Sequence, residues 1–378
     1  MIKKQTICIF ILSLLFLSQC RGDDYIIRQE TELVTIPTRS NGIVGFYLLN
    51  EGIMGSNKAT LDKFDYLTGV YHRNIFSEIN PNITKELGDV GNDIKIYGNK
   101  LYIILNISNK IEVLNAKNGK RITSIPLENC RYIAFNKGKA YVSSYAGKVR
   151  FASDTPLGKV VQIDTTSLAI EKEAIVGYQP EELEIIDNQL FIANSGGYRA
   201  PNYDDTISVI DLNNFTEKKK IKVAINLHHL KKDSEKDLYV SSRGNYNNIP
   251  ANLLVINSKD EKIKKNFNLP ISNFTIVNDK LYFVSNNFNY NKKNDYKFGI
   301  INTKTEEITN KKLINDKIIQ QIRQPYGIAV NPITEEIFIT DASNFISSGA
   351  IYCFDKNGKF KWKTIAGNIP AHIAFYHK

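Results

Sequence analysis

Six times between residues 101 and 339 the chain places a tyrosine or phenylalanine between two apolar residues: Leu101-Tyr102-Ile103, Ala140-Tyr141-Val142, Leu190-Phe191-Ile192, Leu238-Tyr239-Val240, Leu281-Tyr282-Phe283 and Ile337-Phe338-Ile339. After each comes a run of alternating apolar residues that closes on Asp or Asn and a turn: IEVLNAKNGK, VVQIDTTSL, ISVIDLNNF, LLVINSKDE, FGIINTKTEE and IYCFDKNGK. A short strand precedes each Tyr/Phe strand, and an outer strand such as ITSIPL, KKIKVAI or FKWKTIA follows each turn. Period-2 alternation punctuated by Gly, Asn and Asp specifies strands rather than helices. Four strands recurring about every 40 to 55 residues is the period of propeller blades. A lone blade leaves both sheet faces uncovered, so the blades must pack against one another around a ring.

The seventh unit is split between the chain ends. GFYLLNEG and ATLDKFDYLTG supply its middle and outer strands, and AHIAFYHK at the C-terminus supplies the inner one. Closing the ring in this way removes the last open sheet edge. The expected fold is all-β, a seven-bladed β-propeller of four-stranded blades, with residues 41–378 forming a single domain. Tyr102, Tyr141, Phe191, Tyr239, Tyr282 and Phe338 recur at one blade position and are expected to pack between blades. The abundance of tyrosine (20) and phenylalanine (19) over tryptophan (1) and methionine (2) suits strands.

The first residues, MIKKQTICIFILSLLFLSQCRGDD, combine a lysine pair with an apolar run too short to span a bilayer. Residues 1–19 are expected to be a lipoprotein signal peptide. Leu17-Ser18-Gln19-Cys20 resembles a bacterial lipobox, which makes Cys20 the lipidated first residue and residues 20–40 a tether. Several acyl chains on one residue hold a protein durably at a membrane. Arg21-Gly22-Asp23-Asp24 resembles the acidic tag of lipoproteins sent to the outer face of the outer membrane, so the expected location is the cell surface. Of the remaining cysteines, Cys130 and Cys353 lie in strand-like surroundings and are expected to be buried thiols. Removing Lys3 and Lys4 with the leader takes the formal charge from +10 to +8. That surplus is scattered over presumed turns with no dense basic run, which argues against nucleic acid as a partner.

Strand alternation puts the connections between strands two and three on the same face as the blade-to-blade connections. Along the chain these connections read LNEGIMGSNKA, SSYAGKVRFASDTPLGK, ANSGGYRAPNYDD, SSRGNYNNIPAN, SNNFNYNKKNDYK and TDASNFISSGA, all longer than a hairpin requires and rich in Tyr, Phe, Asn, Arg and Gly. The opposite face carries short turns such as NAKNG, DKNG and NTKTE. Loops on a rigid scaffold concentrate binding residues. Aromatic and arginine planes with Asn, Ser and Gly as adaptable hydrogen-bonding groups suit a bulky, flat, partly polar ligand. The candidate ligand-binding residues are Tyr145, Arg150, Phe151, Tyr198, Arg199, Tyr203, Arg243, Tyr246, Phe288, Tyr290 and Phe345, with Tyr178 and Tyr326 from the blade-to-blade connections. In ANSGGYRAPNYDD, Gly196 and Gly197 are expected to supply unusual backbone angles and Pro201 to stiffen the return.

Catalytic signatures are weak, and no catalytic residue, required cofactor or metal is assigned. No Gly-rich loop opens a helix and no nucleophile elbow appears. None of the histidines, His72, His228, His229, His372 and His377, has zinc spacing, although His228-His229 falls where two blades meet on the loop-rich face. GDVGND holds Asp89 and Asp93 in a pattern closer to a tight turn than to a calcium loop.

NEGIMGSNKATL, GDVGNDI, KLYIILN, YVSSYAGKV, IDTTSL, ANSGG, YDDTISVIDL, YVSSRGNY, QPYGIAVNP, ITDASN and IYCFDKNGK together resemble the YVTN-type seven-bladed propeller lipoproteins on the surface of anaerobic Gram-negative bacteria. That family includes propellers that capture corrinoids such as vitamin B12 (cobalamin) for an outer-membrane TonB-dependent transporter. The likeness runs from about Asn41 to the C-terminus. It implies a non-catalytic surface protein that binds a cobalamin-like corrinoid and passes it to such a transporter. In GYQPEEL this chain has Glu182 where these repeats usually place glycine. Two other classes of function stay open: a propeller enzyme of lyase or lactonase type, drawing on Asp89, Glu182, His228 or Asp341, and a protein-interaction platform.

Overall fold

A computed structural model describes residues 30–38, 42–83, 86–287, 295–314 and 317–378. The strands form seven antiparallel sheets arranged as blades. Blade 1 comprises Gly91–Tyr97, Lys100–Leu105, Lys110–Asn115 and Arg121–Pro126; blade 2, Cys130–Asn136, Lys139–Ser144, Lys159–Asp164 and Ile170–Ile175. Blade 3 comprises Pro180–Ile186, Gln189–Asn194, Thr206–Asp211 and Thr216–Lys222; blade 4, Leu227–Lys232, Leu238–Ser242, Asn252–Ile256 and Ile263–Asn266. Blade 5 is built from Ile271–Val277, Lys280–Asn287, Asp295–Asn302 and Glu307–Asn310; blade 6, from Pro325–Val330, Ile337–Asp341, Ser348–Phe354 and Phe360–Asn368.

Blade 7 closes the ring as the split repeat predicts. C-terminal Pro370–His377 is its inner strand and pairs with Ile43–Asn50, which is followed outward by Thr60–Asp65 and Val70–His72. This blade carries one strand more than four. Thr31–Leu33, inside the stretch read as a tether, pairs with Val70–His72 as a fifth, outermost strand.

The recurring aromatic residue is the inter-blade wedge. Tyr102, Tyr141, Phe191, Tyr239, Tyr282 and Phe338 are all buried, each three residues before the last second-strand residue paired with the start of the inner strand. The same register picks out Tyr47 in blade 7, which the six-fold reading missed. Its hydroxyl donates to the Ala116 carbonyl of blade 1 at 2.9 Å, as that of Tyr239 does to Thr303 of blade 5 at 3.1 Å. Among the described residues the buried apolar side chains fall into seven clusters, one at each junction of adjacent blades. The core is therefore a ring of interfaces rather than a single center.

The Asp or Asn that closes each third strand has a local function. The Oδ1 atoms of Asp65, Asn115, Asp164, Asp211, Asn257, Asn302 and Asp355 each accept a backbone N–H two residues on, an Asx turn that reverses the chain. The turns between the first two strands, on that same face, are two residues long in four blades. Lys137-Gly138 and Asn278-Asp279 have positive φ at both positions, the twist that tight hairpins require. Cys130 and Cys353 are free and buried.

Candidate functional site

In every blade the inner strand carries an irregularity one or two residues from the end that faces the long loops. Arg131 and Tyr132 lie between the register pairs Cys130–Ser144 and Ile133–Val142, so two residues oppose one. The same happens at Glu181-Glu182, His228-His229 and Tyr326-Gly327, and single extra residues stand at Asn92, Ser272 and Ala371. A bulge of this kind bends the strand and re-aims side chains that a regular strand would send to its two faces. Hydroxyls of the second strand fix three of the bulges: those of Ser143, Ser241 and Thr340 accept the backbone N–H of Tyr132, His229 and Gly327. Gly327 has no alternative at its position, because a Cβ there would stand 2.1 Å from the Ala371 carbonyl oxygen.

Just before the bulges the backbone is strained. Val90, Asn129, Gln179, Asn226 and Ile369, each immediately preceding an inner strand, have φ between 43° and 55°. That region tolerates asparagine but disfavors β-branched side chains. Val90 and Ile369 nevertheless adopt it, and both line the cavity described next.

Seven bulges at one level bring side chains from blades far apart in sequence into one network around the ring axis. Glu181, only 1% exposed, accepts hydrogen bonds from Arg131 Nε (3.1 Å) and Nη2 (2.9 Å), Arg243 Nη1 (3.1 Å) and the Tyr145 hydroxyl (2.6 Å). Burial alone would raise its carboxyl pKa, but the Arg131 and Arg243 charges and the Tyr145 hydroxyl hold it at about 2. Glu182 binds His229 Nδ1 (3.1 Å), the Leu230 N–H (3.1 Å) and Lys231 Nζ (2.6 Å). Opposed by burial, the Lys231 charge and the His229 hydrogen bond keep this carboxyl well below its ordinary range. The Tyr132 hydroxyl is 2.8 Å from His228 Nε2, and the His228 and His229 rings lie 3.8 Å apart. Burial, then the Arg243, His229 and Arg131 charges, push the His228 pKa well down, so His228 is neutral at pH 7. Across the axis, the Glu51 carboxylate accepts the Tyr326 hydroxyl at 3.1 Å and stands 3.4 Å from His372 Nε2.

Of these groups Glu51, Arg131, Tyr132, His228, Arg243 and Tyr326 line a cavity of about 460 Å³ that opens on the loop-rich face, while Glu181 stands behind its wall. A second cavity of about 420 Å³, containing Asp93, Lys95 and Lys231, occupies the other end of the axis. Tyr132, His229, Asn273 and His372 border both.

Of the sequence candidates, Tyr198, Arg243 and Tyr326 line the upper cavity. Phe151, 80% exposed, meets Tyr198 edge-on at 5.1 Å, and Phe345 meets Tyr326 edge-on at 5.9 Å, so both extend its rim. Tyr246 is exposed and Tyr203 half-buried on neighboring loops. Arg150 pairs with Asp154 at 3.0 Å. Arg199 holds its guanidinium carbon over the Tyr178 ring, 3.4 Å from the centroid, and donates to the carbonyls of Ser153 and Asn202, so this pair braces the ANSGGYRAPNYDD loop. Within that loop Gly196 alone of the glycine pair has positive φ, and the Ala200–Pro201 peptide is cis. Tyr145 is buried behind the wall, its ring 4.8 Å from the Arg131 guanidinium, and acts through Glu181. Phe288, Tyr290 and Cys20 lie outside the described residues.

Several other acidic candidates have structural partners. Asp89 accepts the Gly55 N–H, Asp93 the N–H groups of Ile94 and Ile133, and Asp341 those of Arg323, Gln324 and Ser343. Among the described residues no three His, Cys, Asp or Glu side chains are grouped to hold a metal ion. The loop-based reading missed Arg131, Tyr132, Glu181, Glu51 and His372. The signal was present in the aligned inner strands: NDI, RYI, EEL, HHL, SNF, YGI and AHI stand in register at the bulges, and five of the seven carry a charged residue or histidine at an otherwise strand-like position.

Among the solved structures that share the fold, three illustrate the likeness. One is hydrazine synthase from Kuenenia stuttgartiensis (14% identity, TM-score 0.56, covering 71% of this chain and 77% of that one). Another is a quinonprotein alcohol dehydrogenase-like protein from Bacteroides thetaiotaomicron VPI-5482 (14% identity, TM-score 0.57, covering 89% and 79%). The third is the dihydro-heme d1 dehydrogenase NirN (11% identity, TM-score 0.53, covering 92% and 80%). At these identities the likeness is one of fold. No curated protein matches the sequence. Residues 44–375 match the family model described as "Domain of unknown function (DUF5074)", and the chain belongs to that family.

Proposed function

We propose that this chain is a non-catalytic, lipid-anchored surface protein that captures a bulky nutrient of the corrinoid type, cobalamin above all, and hands it to an outer-membrane TonB-dependent transporter. The observation that carries the reading is the pairing of a polar axial cavity with an exposed aromatic rim on the same face. Phe151, Tyr246 and Phe345 are 80%, 59% and 40% exposed around an opening lined by Arg131, Arg243 and His228. A cavity of about 460 Å³ admits an edge or side group of such a ligand while its body rests on the rim. Holding these groups on a closed ring of blades limits the entropy lost on binding. The lipobox and the acidic residues after Cys20 support the anchored location, and the scattered charge argues against nucleic acid.

The test is a calorimetric titration of the chain from Arg21 to Lys378 with cyanocobalamin, using haem as a control. One-to-one heat with cobalamin alone is expected. Absence of heat with cyanocobalamin overturns the corrinoid assignment and moves the reading to another cargo or to protein docking.

A propeller lyase or lactonase is the second reading, favored by the Tyr132–His228 hydrogen bond beside Arg131, an arrangement able to move a proton next to a bound carboxylate. Turnover of a uronate polymer or a lactone that disappears in His228→Ala would favor it over capture.

A further inference from the structure

We infer that the axial cavity is bipolar: its Arg131–Arg243 wall takes an anionic phosphoryl or carboxylate group of the ligand, and its Glu51–Tyr326–His372 wall takes a hydrogen-bond donor such as an amide. The inference rests on the capture reading and names the chemistry of the group that enters.

The cationic wall is under-neutralized. Two guanidiniums from blades 2 and 4 share the carboxylate of Glu181 between them, so this triad carries one net positive charge. Glu181 itself stands behind the wall, 1% exposed, and its four hydrogen bonds fill the lone-pair sites of its two oxygens. Arg131 gives it two donors and Arg243 one, of the five that each guanidinium has. Among the described residues neither guanidinium makes a further hydrogen bond, so the remaining donors of Arg243, whose side chain is 27% exposed, are available to the cavity. His228, neutral between these cations, adds a polar ring without adding charge. Planar guanidinium forks match the paired oxygens of a phosphoryl or carboxylate group.

The opposite wall has the reverse character. Glu51 is the carboxylate of the cavity lining, placed there by the loop after the second strand of blade 7. It accepts from Tyr326 and faces His372, while its side chain keeps 18% exposure. A ligand lying across the axis therefore meets positive charge on one side and an acceptor on the other. Such complementarity fixes orientation as well as affinity.

The test titrates the chain from Arg21 to Lys378 with sodium phosphate and with sodium acetate at constant ionic strength, followed by calorimetry, and compares Arg243→Gln, Arg243→Lys and Glu51→Gln. Saturable heat is expected from at least one anion. Arg243→Gln should weaken it about tenfold, the loss of a charge-assisted hydrogen bond. Arg243→Lys should fall between, since it keeps charge but loses the fork, and Glu51→Gln should bind the anion at least as tightly as the parent. Glu181 retains Arg131 and Tyr145 in the Arg243 variants, and circular dichroism checks their fold. Phosphate tighter than acetate assigns a phosphoryl group, and the reverse a carboxylate. No saturable heat from either anion, or Arg243→Gln binding like the parent, overturns the inference. Cyanocobalamin, which carries a phosphodiester, separates the two levels. If it binds but neither anion binds or competes, the bipolar site fails and capture stands; if the anions bind through Arg243 and cyanocobalamin does not, the corrinoid reading fails and the anion site stands.

Discussion

Replacing Glu181 by glutamine keeps the shape of the side chain and removes the charge that two buried guanidiniums share. The carboxyl, ordinarily at 4.5, is held at about 2 in the folded ring. A carboxyl depressed on folding contributes stability that is complete above its unfolded value and is lost as pH falls toward its folded value. The separation between 4.5 and about 2 corresponds to about 3 kcal/mol at pH 7 and about 1 kcal/mol at pH 3. Breaking a buried ion pair from one side costs about 3–5 kcal/mol, because the cations are left behind, which agrees with the first figure. Urea unfolding at pH 7, 5, 4 and 3 would follow the gap between the parent chain and Glu181→Gln. The gap should stay at about 3 kcal/mol from pH 7 to pH 5 and then fall to about 1 kcal/mol by pH 3. A gap that stays constant or widens toward acid, or a variant within about 0.5 kcal/mol of the parent at pH 7, an effect typical of an uninvolved surface site, would refute the shared-carboxylate account of the wall.

Phe151→Ala should weaken cyanocobalamin capture and leave thermal unfolding unchanged, because the ring is 80% exposed and contributes to the rim rather than the core. Gly327→Ala should destabilize the ring by more than 1 kcal/mol in urea titrations, since its Cβ would be driven into the Ala371 carbonyl and the blade 6 bulge would have to shift. The chain from Arg21 onward should react with a thiol reagent only after unfolding. Burial raises the Cys130 thiol to about 12 and the Cys353 thiol well above its ordinary value, so neither presents thiolate at neutral pH.

Blade number, strand order and ring closure were legible in the sequence because each rests on short-range rules repeated seven times. Alternation sets strands, Asp or Asn at the end of the third strand sets an Asx turn, and an aromatic at one register sets the wedge between blades. Where one copy departs from the pattern the reading fails. Tyr47 was passed over because it sits in the split blade, in GFYLLNEG rather than in an isolated apolar triplet. Thr31–Leu33 is short and fully exposed, so no apolar pattern marks it as a strand. The upper cavity opens on the face that carries the long loops, and Tyr198 and Arg243 from those loops line it together with Tyr326 from a blade-to-blade connection. The heart of that cavity was decided only by tertiary structure. Arg131 meets Glu181 across 50 residues, Tyr132 meets His228 across 96, and Tyr326 meets Glu51 across 275. In sequence each of these looks like an ordinary strand residue. A bulge turns it toward the axis, and the partner that gives it a role arrives only when separate blades bring their inner strands to the same point on the ring.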